Sequence, residues 1–231
     1  MTELFVALDF DSSEKAVRMA NALVSYVDGF KVGLELLLGP GPATIAAIRQ
    51  LGKPVFADAK LHDIPTTVGG AARQLGRLGA RYITAHAAGG KSMLEAARAG
   101  LQDGAAGNSA GVLAITVLTS IDEVTFGMTG FRGSLGEQVA RMTRLGEEAG
   151  CEGVVCGVKQ LGVVAQVAPH LTKVTPGIRN DGRTDDQRQS GDAGEAAGKG
   201  ADIIVVGRPI TRAPDPIAAA QEFSQVLAAR S

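Results

Sequence analysis

Pro54-Val55-Phe56-Ala57-Asp58-Ala59-Lys60-Leu61 is short, apolar at its start and charged towards its end. That is the pattern of a buried parallel strand whose far end reaches a polar rim. Seven further runs of the same kind lie along the chain: Leu4 to Asp9, Gly29 to Leu34, Arg81 to Ala87, Val112 to Leu118, Gly153 to Val158, Leu171 to Pro176 and Asp202 to Gly207. Between them lie segments of helical period, among them Ser13 to Val27, Thr67 to Leu78, Lys91 to Leu101, Leu135 to Ala149 and Pro216 to Ala229. Strands alternating with helices predict parallel strands joined by helical crossovers. Asp11-Ser12-Ser13-Glu14 supplies an N-cap and early negative charge for the first helix, and glycines at 52, 79, 150 and 200 sit where helices should stop.

Eight such units in 231 residues predict a closed (β/α)8 TIM barrel, because an open doubly wound sheet of eight strands would usually be longer and would need an order reversal. The first junction, Leu8-Asp9-Phe10-Asp11-Ser12, lacks the G-x-G-x-x-G fingerprint of dinucleotide-binding sheets. No stretch reads as a linker, so residues 1–231 are expected to form one barrel domain.

A formal charge of −1, with Lys and Arg scattered, argues against a nucleic-acid surface, which needs clustered cations. No apolar run approaches membrane-spanning length, and the first residues lack the basic flank of a signal peptide. A cytoplasmic protein with no membrane partner and a small phosphorylated ligand is expected. Cys151 and Cys156 have no metal-site spacing and read as buried, reduced thiols. His62, His86 and His170 form no metal-ligand spacing either and read as ordinary hydrogen-bonded residues rather than catalysts.

In a parallel barrel the chemistry gathers at the C-terminal strand ends. Strand one ends in Asp9, strand two carries Lys31, and strand three runs into Asp58, Lys60 and, in the following loop, Asp63, so that Lys31, Asp58, Lys60 and Asp63 are expected as four charges of alternating sign on one rim. Because side chains alternate along a strand, Asp58 and Lys60 are expected on one face, pointing into the mouth. An ammonium set between carboxylates stays protonated even when partly desolvated, and such a lysine could stabilise a carbanion and then protonate it. The competing reading is a surface ion-pair network of little energetic consequence.

Strand seven leads into Thr175-Pro176-Gly177-Ile178-Arg179 and strand eight into Val206-Gly207-Arg208-Pro209, the two loops where barrels commonly hold phosphate. Asn180 to Gly191, nearly devoid of apolar residues, reads as a lid over a bound phosphate.

These residues resemble the bacterial orotidine 5′-monophosphate decarboxylases over essentially the whole chain. The specific motif is Asp58-Ala59-Lys60-Leu61-His62-Asp63-Ile64-Pro65-Thr66-Thr67-Val68. It is reinforced by Ala7-Leu8-Asp9, Phe30-Lys31-Val32-Gly33, Val117-Leu118-Thr119-Ser120, Thr175 to Arg179, Asp186-Gln187 and Gly207-Arg208-Pro209-Ile210. The resemblance implies conversion of orotidine 5′-monophosphate to UMP and CO2, the last step of de novo pyrimidine nucleotide synthesis, with no metal and no cofactor. It implies that Asp9 and Lys31 contact the ribose, that Thr119 lies near the pyrimidine, and that Lys60 gives the proton to C6 with Asp58 beside the departing CO2. Arg179, Gln187, Gly207 and Arg208 would be phosphate ligands, with Pro176 also touching substrate. Asp63, Ile64 and Thr67 would enter the site of a second subunit, making a homodimer with shared active sites.

The chain departs from many relatives at Ser190-Gly191, where they carry Thr-Pro, which leaves the lid contacts open. Related Mg2+-dependent decarboxylases and synthases of sugar phosphates share the D-x-K-x-x-D run but have an acidic metal ligand at the end of strand two. Here Lys31 stands in that place and would repel Mg2+. A non-catalytic nucleotide-binding barrel is the remaining alternative. A degenerate member would be expected to lose one of Lys31, Asp58, Lys60 and Asp63, and all four are present.

Overall fold

The computed structural model describes residues 1–179 and 191–229. The first half of the chain runs β1 (Glu3–Ala7), α1 (Ser13–Leu23), β2 (Gly29–Val32), α2 (Leu34–Leu38), α3 (Ala43–Arg49), β3 (Val55–Leu61), α4 (Pro65–Arg77), β4 (Tyr82–His86) and α5 (Lys91–Ala105). The second runs β5 (Gly111–Ile115), α6 (Glu123–Met128), α7 (Leu135–Glu148), β6 (Gly153–Val155), α8 (Leu161–Val167), β7 (Thr172–Pro176), α9 (Ala193–Gly198), β8 (Ile203–Val206), α10 (Arg208–Thr211) and α11 (Pro216–Ala228). The eight parallel strands pair in chain order, and β8 closes on β1 with Val6 opposite Val206. The expected barrel is therefore present.

Two cores hold it. Inside the barrel, Phe5, Ala7, Phe56, Tyr82, Leu113, Val174, Ile203 and Val205 form a separate buried cluster. A larger cluster lies between the sheet and the helices, with Val6, Ile83, Leu94 and Phe223 among its members. Alternation along each strand assigns the two faces: Phe5 and Ala7 point inward while Leu4 and Val6 point outward. Gly29, paired with Phe5, keeps the interior open for that ring, since a Cβ there would sit 2.5 Å from it. The floor is closed by charge, with the Arg81 guanidinium paired to both carboxylate oxygens of Glu152 and lying 4.2 Å over the Tyr82 ring.

Helix starts follow their caps. The Ser12 hydroxyl accepts from the Lys15 N–H, and Ser134 and Glu137 form a capping box at α7. Several strands are shorter than their apolar runs. Leu8, Val117 and Val158 follow the last ladder pairs of β1, β5 and β6 yet remain buried, so hydrophobicity outlasts pairing. Val27 is buried past the end of α1 in the same way.

Asp58 and Lys60 both face the cleft, as expected, although the strand between them is irregular: the β3–β4 register shifts between Ala57 and Leu61 and Lys60 adopts φ 49°, in the left-handed region. The Lys60 side chain thus leaves the sheet from a bulge and not from a regular pleat.

Both cysteines are buried and free, and burial pushes each thiol up to about 12, as inert packing groups.

Helices α4 and α5 meet backbone to backbone. A Cβ on Gly100 would lie 2.1 Å from the Gly69 carbonyl oxygen, and one on Gly104 would lie 2.1 Å from that of Arg73. Gly100→Ala is therefore expected to destabilise the fold by about 1–3 kcal/mol despite the better helix propensity of Ala. That corresponds to roughly 2–4 °C of Tm per kcal/mol for a chain of this size. Gly162→Ala, in α8 with open space around it, serves as the control and should melt at or above the parent. A Gly100→Ala protein that melts with the control would refute the close contact.

Candidate active site

A cleft of about 580 Å³ opens at the C-terminal ends of the strands. It is lined by Asp9 beyond β1, Lys31 on β2, Asp58 and Lys60 on β3, and Thr119 beyond β5. Pro176, Gly177 and Arg179 from the end of β7, and Gly207 and Arg208 from beyond β8, complete the other arc.

The charged part is one connected set. Lys31 lies on the inward face of β2, and its Nζ is 3.4 Å from Asp9 Oδ1 and 3.4 Å from Asp58 Oδ2. The Nζ of Lys60 lies 2.5 Å from the same Asp58 Oδ2. The other oxygen, Oδ1, accepts a 2.9 Å hydrogen bond from the Thr84 hydroxyl on β4. Burial alone would push the Lys31 ammonium down, but Asp58 and then Asp9 outweigh it and hold it above the usual lysine range. Burial would likewise push the Asp58 carboxyl up, yet Lys31, then Lys60, and the hydrogen bonds from Lys60 and Thr84 hold it below the usual carboxylate range. A lysine ammonium has three donors. Asp58 takes one from Lys60, whose side chain is a third exposed towards the cleft. Such a group can hold negative charge forming on a bound carbon and then give it a proton.

Asp63 does not join this set within its own chain, which corrects the expectation of four charges on one rim. After the bulge the chain leaves the rim, with Ile64 at the N-cap of α4 and Pro65 at its first turn. Asp63 Oδ1 accepts from the backbone N–H of Ile64 at 2.6 Å, and residues 63–67 are all exposed, Ile64 by 66%.

On the other arc Arg179 is nearly buried, 9% exposed, and its backbone N–H donates to the Gly191 carbonyl at 2.9 Å. Gln187 and the expected lid residues 180–190 lie outside the described residues. His86 closes β4 with its ring centroid 5.2 Å from that of His62, and burial first, then His62 and Lys60, lower its pKa. Neither histidine lines the cleft, and among the described residues no group of three or more His, Cys, Asp or Glu could hold a metal ion.

Glu35 and Arg212 also line the cleft, although sequence reading singled out neither. Arg212 stands one helical turn after Arg208, a spacing that could have pointed to it.

A parallel barrel with arginines at one arc of its mouth and a carboxylate bridging two ammoniums at the neighbouring arc defines a (β/α)8-barrel enzyme for small anionic substrates. The comparisons narrow the class. The chain belongs to the orotidine 5′-phosphate decarboxylase / HUMPS family, whose profile matches residues 2–223. It is 44% identical to the orotidine 5′-phosphate decarboxylase of Thermobifida fusca, over 96% of this chain and 94% of that protein. It is 46% identical to that of Anaeromyxobacter sp. (strain K), over 96% of each. The crystal structure of the Lactobacillus acidophilus orotidine 5′-phosphate decarboxylase superimposes with a TM-score of 0.83 at 33% identity, covering 98% of this chain and 99% of that one.

Proposed function

We propose that this enzyme converts orotidine 5′-monophosphate to UMP and CO2, the last step of de novo pyrimidine nucleotide synthesis, as a cytoplasmic homodimer with shared sites. The observation that carries the reading is the Asp58 carboxylate bridging Lys31 and Lys60 inside the cleft. In the proposed step the C6–carboxylate bond breaks, its electron pair stays on C6, and CO2 leaves. The resulting carbanion has no π-system to spread into, so its charge must be met electrostatically. The Lys60 ammonium, already held in place, needs little reorganisation to do this and then transfers its proton to C6. Solvent reprotonates the lysine.

Asp9 and Lys31 would contact the ribose and Thr119 the pyrimidine. Pro176, Arg179, Gln187, Gly207 and Arg208 would form the phosphate end. Asp63, Ile64 and Thr67, exposed beyond the rim, would complete the site of the partner subunit.

Within the family, Lys31 between Asp9 and Asp58 favours the metal-free reaction over Mg2+ chemistry, because an ammonium in that place competes with a divalent cation. The test follows the absorbance of orotidine 5′-monophosphate as it becomes UMP, with enzyme dialysed exhaustively against EDTA. Full turnover is expected. Tight binding without turnover would favour a nucleotide sensor, and turnover that returns only with Mg2+ would overturn the metal-free step.

Arg208→Ala is expected to weaken nucleotide affinity and also to lower kcat/KM, since phosphate contacts remote from C6 are used to assist the chemical step. A substrate lacking the phosphate should be nearly indifferent to the change. Equal losses on both substrates would remove Arg208 from the phosphate end.

A further inference from the structure

Thr84 belongs to the inward face of β4, between Tyr82 and His86, and is fully buried. It is buried behind the residues that line the cleft, yet its hydroxyl is joined to both groups of the proposed catalytic pair. The Lys60 backbone N–H reaches Thr84 Oγ1 at 2.9 Å, and Thr84 Oγ1 reaches Asp58 Oδ1 at 2.9 Å. The directions are fixed by chemistry. A backbone N–H only donates, so the hydroxyl accepts there and its single proton goes to the carboxylate.

The two bonds do different things. Where the β3–β4 register shifts between Ala57 and Leu61, Lys60 lies in the left-handed region and its N–H bonds to a side chain in place of a ladder carbonyl. Thr84 thus supports the backbone state that aims the lysine. The second bond occupies Oδ1, which stops the carboxylate from turning about its broad terminal torsion and leaves Oδ2 to face both ammoniums.

We propose that Thr84 is a positioning residue, one hydroxyl that sets the carboxylate of Asp58 and the backbone of Lys60 in register with each other. The proposal rests on the decarboxylase reading above for the meaning of that register. The charged and titratable groups that face Asp58 are Lys31 from β2, Lys60 on its own strand and His86 from β4, with Asp9 behind Lys31. A change at Thr84 alters none of them.

The test compares Thr84→Val, nearly the same shape without the hydroxyl, with Thr84→Ser, which keeps the hydroxyl and drops the methyl. Loss of a hydrogen bond to a charged group predicts a fall in kcat of about ten- to a hundredfold in the valine variant, with KM close to the parent. By carbon NMR the Asp58 carboxyl should titrate at higher pH than in the parent, having lost a donor that favours its anion, and the Lys60 amide should exchange faster. Thr84→Ser should restore all three. The proposal fails if the valine variant matches the parent in kcat and in the Asp58 titration, or if serine is as impaired as valine, since packing and not the hydroxyl would then matter. Should the valine variant not fold, the same readouts on Thr84→Ala, with UMP added to hold the fold, decide in its place. If the parent enzyme itself does not turn over orotidine 5′-monophosphate, the decarboxylase reading falls, while the carboxyl titration and amide exchange still judge the network.

Discussion

Lys60→Ala is expected to lower kcat by about a thousandfold or more, a loss above about 4 kcal/mol of transition-state stabilisation, while UMP still binds. The size follows from two losses at once. In the proposed step the ammonium meets the charge forming at C6, and no other described group near Asp58 would replace it there, because Lys31 is engaged by Asp9 and Asp58. Its proton is also the one the product needs. Lys60→Arg separates the two losses, since it keeps a positive charge but holds its proton too tightly to give it up. It should bind UMP and stay far below the parent, and any turnover above the alanine variant measures the part carried by charge alone. Steady-state kinetics with a parallel UMP titration check both variants, and an alanine variant within about tenfold of the parent would remove Lys60 from the chemistry.

Mixing Lys60→Ala and Asp63→Ala homodimers, each inactive alone, is expected to restore about a quarter of the parent activity. The motive is the position of Asp63, exposed beyond the rim and turned onto the Ile64 N–H, away from the Lys60 of its own chain. In a two-fold dimer each subunit would receive the other's Asp63. The mixed dimer then has one site with Lys60 and a partner Asp63 and one site with neither. Random exchange makes about half of the dimers mixed, and half of their sites are intact. If labelled subunits exchange and activity stays at the level of the two parents, Asp63 acts within its own chain or not at all.

The barrel was legible because its cause is repeated along the chain. Eight apolar runs, each alternating with a helical segment, leave few other ways to bury themselves, and the residues at their far ends, from Asp9 to Arg208, do meet in one cleft. What was not legible lay where a local irregularity overrides the period. Alternation placed Lys60 beside Asp58 in the mouth, but the register shift and positive φ at that point have no signature in Asp58-Ala59-Lys60. Asp63 was expected among four charges on one rim, but at three residues beyond Lys60 the chain has left the rim and stands just before the N-cap of α4. Thr84 carries no chemical mark in a buried strand. Only the bulge opposite it gives its hydroxyl two partners.

The backbone of Lys60 also bears on how this chain would drift if its activity were no longer under selection. A left-handed residue is more comfortable as glycine or asparagine than as lysine, so at this position local stability and turnover pull towards different amino acids. On the proposed role of Lys60, selection for catalysis is what holds a long cationic side chain on a backbone that would relax without it. Among descendants or laboratory lineages that retain the barrel but are freed from making UMP, position 60 is where glycine or asparagine should accumulate early, ahead of the deeply packed strand residues around it.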